Sequence, residues 1–190
     1  MRKKLIYVIL SSVILVSAPT LYAGKSAKVI IKKPASDGTL YDAATATGTE
    51  LKTSECTTEV VDFQDGKALK VVFGIYENWP KLIFSGPWDL TGYTGIEARI
   101  TNIGKGNKKI FLQASNPGEP SAKAWNMAVA YNGIAPGETV TLRIDFGYNN
   151  FMTREKAYPL DPSNITSILL GLSYPKEELT FRLESLRAVK

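Results

Sequence analysis

Apolar and polar residues alternate with a period of two along much of the chain, the mark of β-strands with one face on a core. Over residues 68–76, Leu69, Val71, Phe73 and Ile75 fall on one side, and Lys70, Val72, Gly74 and Tyr76 on the other. Ile96-Glu97-Ala98-Arg99-Ile100-Thr101 alternates without a break. The same reasoning predicts strands over 29–33, 39–41, 59–63, 81–84, 109–115, 125–131, 139–146 and 179–186. Residues 165–172 form a continuous apolar run, as expected of a strand buried on both faces. Asp37-Gly38, Gln64-Asp65-Gly66 and Asn78-Trp79-Pro80 supply breaks, and the two glycines of residues 102–107 predict a hairpin loop. Residues 42–58 are rich in Ala, Thr and Ser and read as a loop with weak strands. Helical periodicity is absent, although residues 153–157 could make one turn. Seven to ten regularly spaced strands predict an all-β fold, a single antiparallel β-sandwich or jelly roll.

The N-terminus follows a different pattern. Arg2, Lys3 and Lys4 precede an apolar run over residues 5–16, and Thr20-Leu21-Tyr22-Ala23 then offers a cleavage end. This is the layout of a secretory signal peptide spanning 1–23. The run is short of the roughly 20 residues that cross a bilayer, so no stable membrane insertion is expected. The expected mature domain is 24–190, and the expected location is secreted or periplasmic. The net charge of +5 includes the leader's three cations, so it overstates the basicity of the domain. Without a Lys/Arg cluster beyond Lys32-Lys33 and Lys108-Lys109, nothing points to nucleic acid. Cys56 is the single cysteine, so no intramolecular disulfide can form and the fold must rest on its core.

The chain contains no histidine. That removes Ser-His-Asp and Cys-His catalysis and nearly every catalytic zinc site. Paired carboxylates would suffice for a glycosidase, and Glu97, Asp145, Glu155, Glu177, Glu178 and Glu184 are available. None lies in a motif that marks an acid or a nucleophile, so no catalytic residue is assigned. Asp62, Asp65 and Glu184 could furnish oxygen ligands for a structural Ca²⁺, but no loop has the ligand density of a calcium motif, and no cofactor is expected.

The aromatic inventory is more informative. Three tryptophans and nine tyrosines accompany many Arg, Asn and Gln side chains. Rings stack on the apolar face of a pyranose, while polar side chains bond its hydroxyls. Trp88 reads as a core tryptophan, whereas Trp79 in its loop and Trp125 at a strand start could each serve a ligand or the core edge. Alternation turns Glu97, Arg99 and Thr101 outward, with Thr141, Arg143 and Asp145, and likewise Phe111 and Gln113. On the strand over 125–131 the larger face is Trp125, Met127, Val129 and Tyr131, which leaves Asn126 outward. If these strands are neighbours in one sheet, Arg99, Gln113, Asn126 and Arg143 form one polar patch with Tyr76 and Trp79 at its rim. The alternative is that Arg99 and Arg143 pair with Glu97 and Asp145 at the surface.

Several segments together resemble a known module. These are residues 69–73, then Trp88-Asp89-Leu90-Thr91-Gly92-Tyr93 leading into 96–102, Ala135-Pro136-Gly137-Glu138 before 140–142, the run 165–172, and Phe181-Arg182-Leu183-Glu184-Ser185-Leu186-Arg187. Their order resembles the carbohydrate-binding-like β-sandwich that precedes the catalytic barrel in family 50 β-agarases, and the wider galactose-binding-like jelly rolls. The likeness covers residues 59–189. It implies a non-catalytic module binding a polysaccharide or oligosaccharide, such as an algal galactan of the agar type. The likeness covers the module and not the barrel, so a stand-alone module is expected and the resemblance carries over no catalytic residue. Competing expectations are a structural or protein-interaction sandwich with a possible protein partner, and a small glycosidase or lyase.

Overall fold

The computed structural model describes residues 30–46, 51–75, 79–118, 126–147 and 160–190. Among them, eleven strands form two antiparallel sheets: β1 (Thr39–Tyr41), β2 (Leu51–Ser54), β3 (Cys56–Phe63), β4 (Gly66–Phe73), β5 (Lys81–Trp88), β6 (Gly95–Asn102), β7 (Lys108–Ser115), β8 (Met127–Ile134), β9 (Thr139–Asp145), β10 (Ile165–Leu172) and β11 (Leu179–Val189). The larger sheet has the order β3-β4-β11-β6-β9, with β1 paired to β11, and the smaller has the order β2-β5-β10-β7-β8. A 3₁₀ turn, Pro162–Asn164, leads into β10 and is capped by Asp161, whose side chain accepts from the Ser163 amide.

Alternation explains the packing. Leu69, Val71 and Phe73, Ile96, Ala98 and Ile100, and Val140, Leu142 and Ile144 point inward from the larger sheet. Leu82 and Phe84, Ile110, Leu112 and Ala114, and Ile168, Leu170 and Leu172 meet them from the smaller one. This is the face-to-face packing of a β-sandwich, and its dry interior supplies the main stabilisation. Trp88 is buried at the edge of this core, as its corner motif predicts.

Four expectations need correction. Residues 30–33 form no strand but only an isolated bridge from Lys32 to Trp88, and Ile30 and Ile31 are exposed. The strand predicted through residue 76 ends at Phe73, and Ile75 is 65 % exposed. Residues 102–107 are not a hairpin loop, because β6 and β7 lie in different sheets. Residues 165–172 are not buried on both faces alike: Ile168, Leu170 and Leu172 enter the core, while Thr166, Ser167 and Leu169 remain half-buried. The weak strands expected within 42–58 are β2 and the start of β3, while the helical turn expected over 153–157, the leader and Val29 lie outside the described residues. Among the described residues, no helix is long and apolar enough to cross a membrane.

Candidate functional site

Each sheet presents an outer face, and the two faces differ in chemistry. On the larger sheet β6 and β9 are neighbours, so Arg99 and Arg143 do share a surface. Their charges are already committed. Arg143 Nη1 donates to Glu97 Oε1 at 2.8 Å and its Nε donates to Asp145 Oδ1 at 2.6 Å. Bonds to Asp145 first and Glu97 second push the guanidinium pKa up. Arg99 Nε donates to Glu184 Oε2 at 2.9 Å. Thus Arg143 pairs as the surface alternative has it, while Arg99 takes Glu184 instead of Glu97.

Glu184 is the centre of that face. The register of β11 against β6 shifts between Leu183 and Ser185, a bulge that lets Leu183 and Leu186 both reach the core. The Glu184 side chain at the bulge is only 6 % exposed. It accepts from Thr101 Oγ1 at 2.5 Å and from Arg182 Nη2 at 2.9 Å. Burial alone would raise its pKa, but hydrogen bonds from Thr101, Arg182 and Arg99 prevail and hold it below the usual glutamate value. A glycosidase acid needs the opposite shift. Glu97 and Asp145 are tied to one arginine, and Glu177 pairs with Lys108. Glu155 lies outside the described residues. Beside the bulge runs a groove of about 790 Å³, lined by Asp37, Tyr41, Asp42, Lys67, Glu184 and Arg187. The suggested calcium ligands do not converge: Asp62 pairs with Lys67, Glu184 is bound by arginines, and no three metal-ligating side chains cluster among the described residues.

The smaller sheet is built differently. Register across its five strands places Ser54, Lys81, Gly171, Phe111 and Tyr131 in one outward row. The next row is Lys52, Ile83, Leu169, Gln113 and Val129, and Ser85, Ser167, Ser115 and Met127 follow. The first row is an aromatic platform. Gly171 makes it possible, since a Cβ there would lie 2.6 Å from Phe111 Cζ. The Phe111 ring therefore extends over β10. Trp79 packs edge-on against Phe111 with centroids 5.6 Å apart, and Tyr174 against Trp79 at 5.8 Å. Tyr131 lies 5.7 Å from Phe111 on the other side. These contacts bury Phe111 to 2 % exposure but leave Trp79 at 41 %, Tyr131 at 40 % and Tyr174 at 59 %. Tyr174 holds a left-handed φ of 48°, uncommon for a residue with a side chain. Partial burial pushes the Tyr131 hydroxyl pKa up, and Lys109 Nζ stands 5.0 Å from its ring centre.

The single patch expected from sequence is therefore divided between opposite faces. Arg99 and Arg143 belong to the larger sheet, and Gln113 and Trp79 to the smaller. Gln113 Nε2 donates to Ser115 Oγ at 3.2 Å. Asn126 does not point outward with them: Met127, Val129 and Tyr131 take the outer face, and Asn126 Nδ2 donates to the Pro117 carbonyl at 3.0 Å. Tyr76 and Trp125 lie outside the described residues. Sequence reasoning missed Tyr131 and Tyr174 as platform residues. Strand alternation already turned Phe111 outward, and pairing it with Tyr131 was the available signal. Tyr174 follows a strand and has no such signal.

The β-sandwich is similar in fold to solved agarase structures and to a carbohydrate-binding module. An exo-β-agarase structure superposes with a TM-score of 0.64 at 13 % identity, covering 80 % of this chain and 24 % of that one. A second agarase gives 0.59 at 13 % identity, over 80 % and 26 %. The family 11 carbohydrate-binding module from Clostridium thermocellum, in complex with a β-1,3-1,4-mixed-linked tetrasaccharide, gives 0.57 at 16 % identity, over 80 % and 94 %. The chain thus spans about a quarter of each agarase and matches the module along nearly its whole length. At these identities the likeness is one of fold, and at that level the resemblance read from residues 59–189 holds. No protein-family model matches the chain, and no curated protein matches it by sequence.

Proposed function

We propose that this chain is a non-catalytic polysaccharide-binding module, and that the ligand lies along the exposed Trp79, Tyr174 and Tyr131 rings that buried Phe111 supports on the smaller sheet. One observation carries the reading: the exposed rings of Trp79, Tyr174 and Tyr131 are joined through buried Phe111 on one outer face, next to Gln113 and a serine row in which Ser85 and Ser167 are half-buried. Pyranose C–H faces stack on such rings, and the polar rows supply hydroxyl partners. The opposite face supports binding less well, because Arg99, Arg143 and Arg182 there are held by carboxylates. An algal galactan is the favoured ligand class, from the fold likeness to agarases. Export with loss of residues 1–23 fits that task, since such polymers lie outside the cell.

The test is isothermal titration of Trp79→Ala and Arg99→Ala chains with galactan oligosaccharides. Trp79→Ala is expected to weaken binding at least tenfold, about 1.4 kcal/mol, and Arg99→Ala to leave it within twofold. A protein partner is the competing reading, favoured by the half-buried aliphatic Ile83 and Leu169 between the aromatic platform and the serine row. It gains if no glycan binds the intact chain.

A further inference from the structure

The two outer faces also differ in how their charge is balanced. On the larger sheet most cations are matched: Arg99 and Arg182 to Glu184, Arg143 to Glu97 and Asp145, Lys70 to Glu59 and Lys67 to Asp62, while Arg187 reaches only the Asp37 carbonyl. On the smaller sheet Lys52, Lys81 and Lys109 occupy outward positions of β2, β5 and β7. No ion pair joins any of the three to a described carboxylate, and among the described residues no acid occupies an outward strand position of that sheet. Lys81 stands in the platform row itself, two strands from Phe111, or roughly 10 Å across the sheet. Lys109 stands over the Tyr131 ring at the other end. Cations therefore flank the stacking surface on both sides, without an ion pair to a described carboxylate.

Resting on the polysaccharide-binding reading, we infer that the platform takes a sulfated galactan rather than a neutral one, with ester sulfates seated by Lys81 and Lys109 and, towards the β2 edge, by Lys52. A chain of alternating apolar sugar faces and fixed anions matches a surface of rings bordered by ammonium groups. Ammonium groups, compact and rotatable, suit tetrahedral sulfate oxygens met from several directions, whereas a planar carboxylate is gripped best by the fork of an arginine. The described outward strand positions of this face hold no arginine.

The test titrates the intact chain at 0.15 M salt with ι-carrageenan, its chemically desulfated product, neutral agarose oligosaccharides and polygalacturonate. Carrageenan is expected to bind at least tenfold tighter than the other three. The triple change Lys52→Gln, Lys81→Gln and Lys109→Gln, checked for an unchanged melting temperature, is expected to abolish that preference, so that carrageenan binds no more tightly than its desulfated product. Trp79→Ala is expected to weaken both. Equal affinity for sulfated and desulfated polymer, equal affinity for polygalacturonate, or a preference that survives the triple change would overturn the inference while leaving the platform reading intact. Carrageenan binding that survives Trp79→Ala would mark general charge attraction and overturn it as well. Binding of no glycan at all would remove the platform reading, and this inference with it.

Discussion

The Glu184 carboxylate is buried by the β11 bulge yet remains charged, because three donors outweigh the cost of its desolvation. Its pKa is lower folded than unfolded, so its contribution is present above the ordinary glutamate value of about 4.3 and fades as pH falls through the folded value. Glu184→Gln keeps the shape but removes the charge that Arg99 and Arg182 face. We expect it to cost about 1–3 kcal/mol at pH 7, with the gap to wild type narrowing below pH 4. Urea unfolding at pH 7 and pH 3.5 checks this, and a gap that is equal at both would contradict the assignment.

Asn102 works at the scale of elements. Wholly buried at the end of β6, it donates through Nδ2 to the carbonyls of Gly106 and Ile134 at 2.7 and 3.0 Å, and accepts the Gly104 amide on Oδ1 at 3.0 Å. Its backbone joins the β8–β9 connection through Glu138 and Gly137. Both connections cross between the sheets, so one side chain fastens two crossovers at one end of the sandwich. Asn102→Ala strands buried backbone groups and is expected to cost about 2 kcal/mol or more, read as a lower urea midpoint with an unchanged slope. A midpoint equal to wild type would mean the crossovers hold without it.

Elements also mark where the sequence was legible. The inward sides of β6, β7 and β9 followed from alternation because each strand has one face on a dry core. Alternation does not say which strands pair, so Arg99 and Gln113 were expected together although they belong to different sheets. The β8 sides were misread for a related reason: its larger side chains, Met127, Val129 and Tyr131, face outward over a platform instead of inward. Over residues 127–131 its inward positions are the small Ala128 and Ala130.

At the scale of the molecule, the sandwich gives one side to closed ion pairs and the other to exposed rings, and the proposed function rests on that asymmetry. Export is the expectation set by residues 1–23. Intact-mass measurement of protein from the extracytoplasmic fraction should give a chain beginning near Gly24, and a mass that retains the leader would contradict it. The most direct test of the central claim compares the two faces in one experiment, titrating galactan oligosaccharides into wild-type, Trp79→Ala and Arg99→Ala chains of matched thermal stability. Binding through the platform predicts at least a tenfold loss for Trp79→Ala and none for Arg99→Ala. A loss for Arg99→Ala alone would put the ligand on the larger sheet and contradict the account.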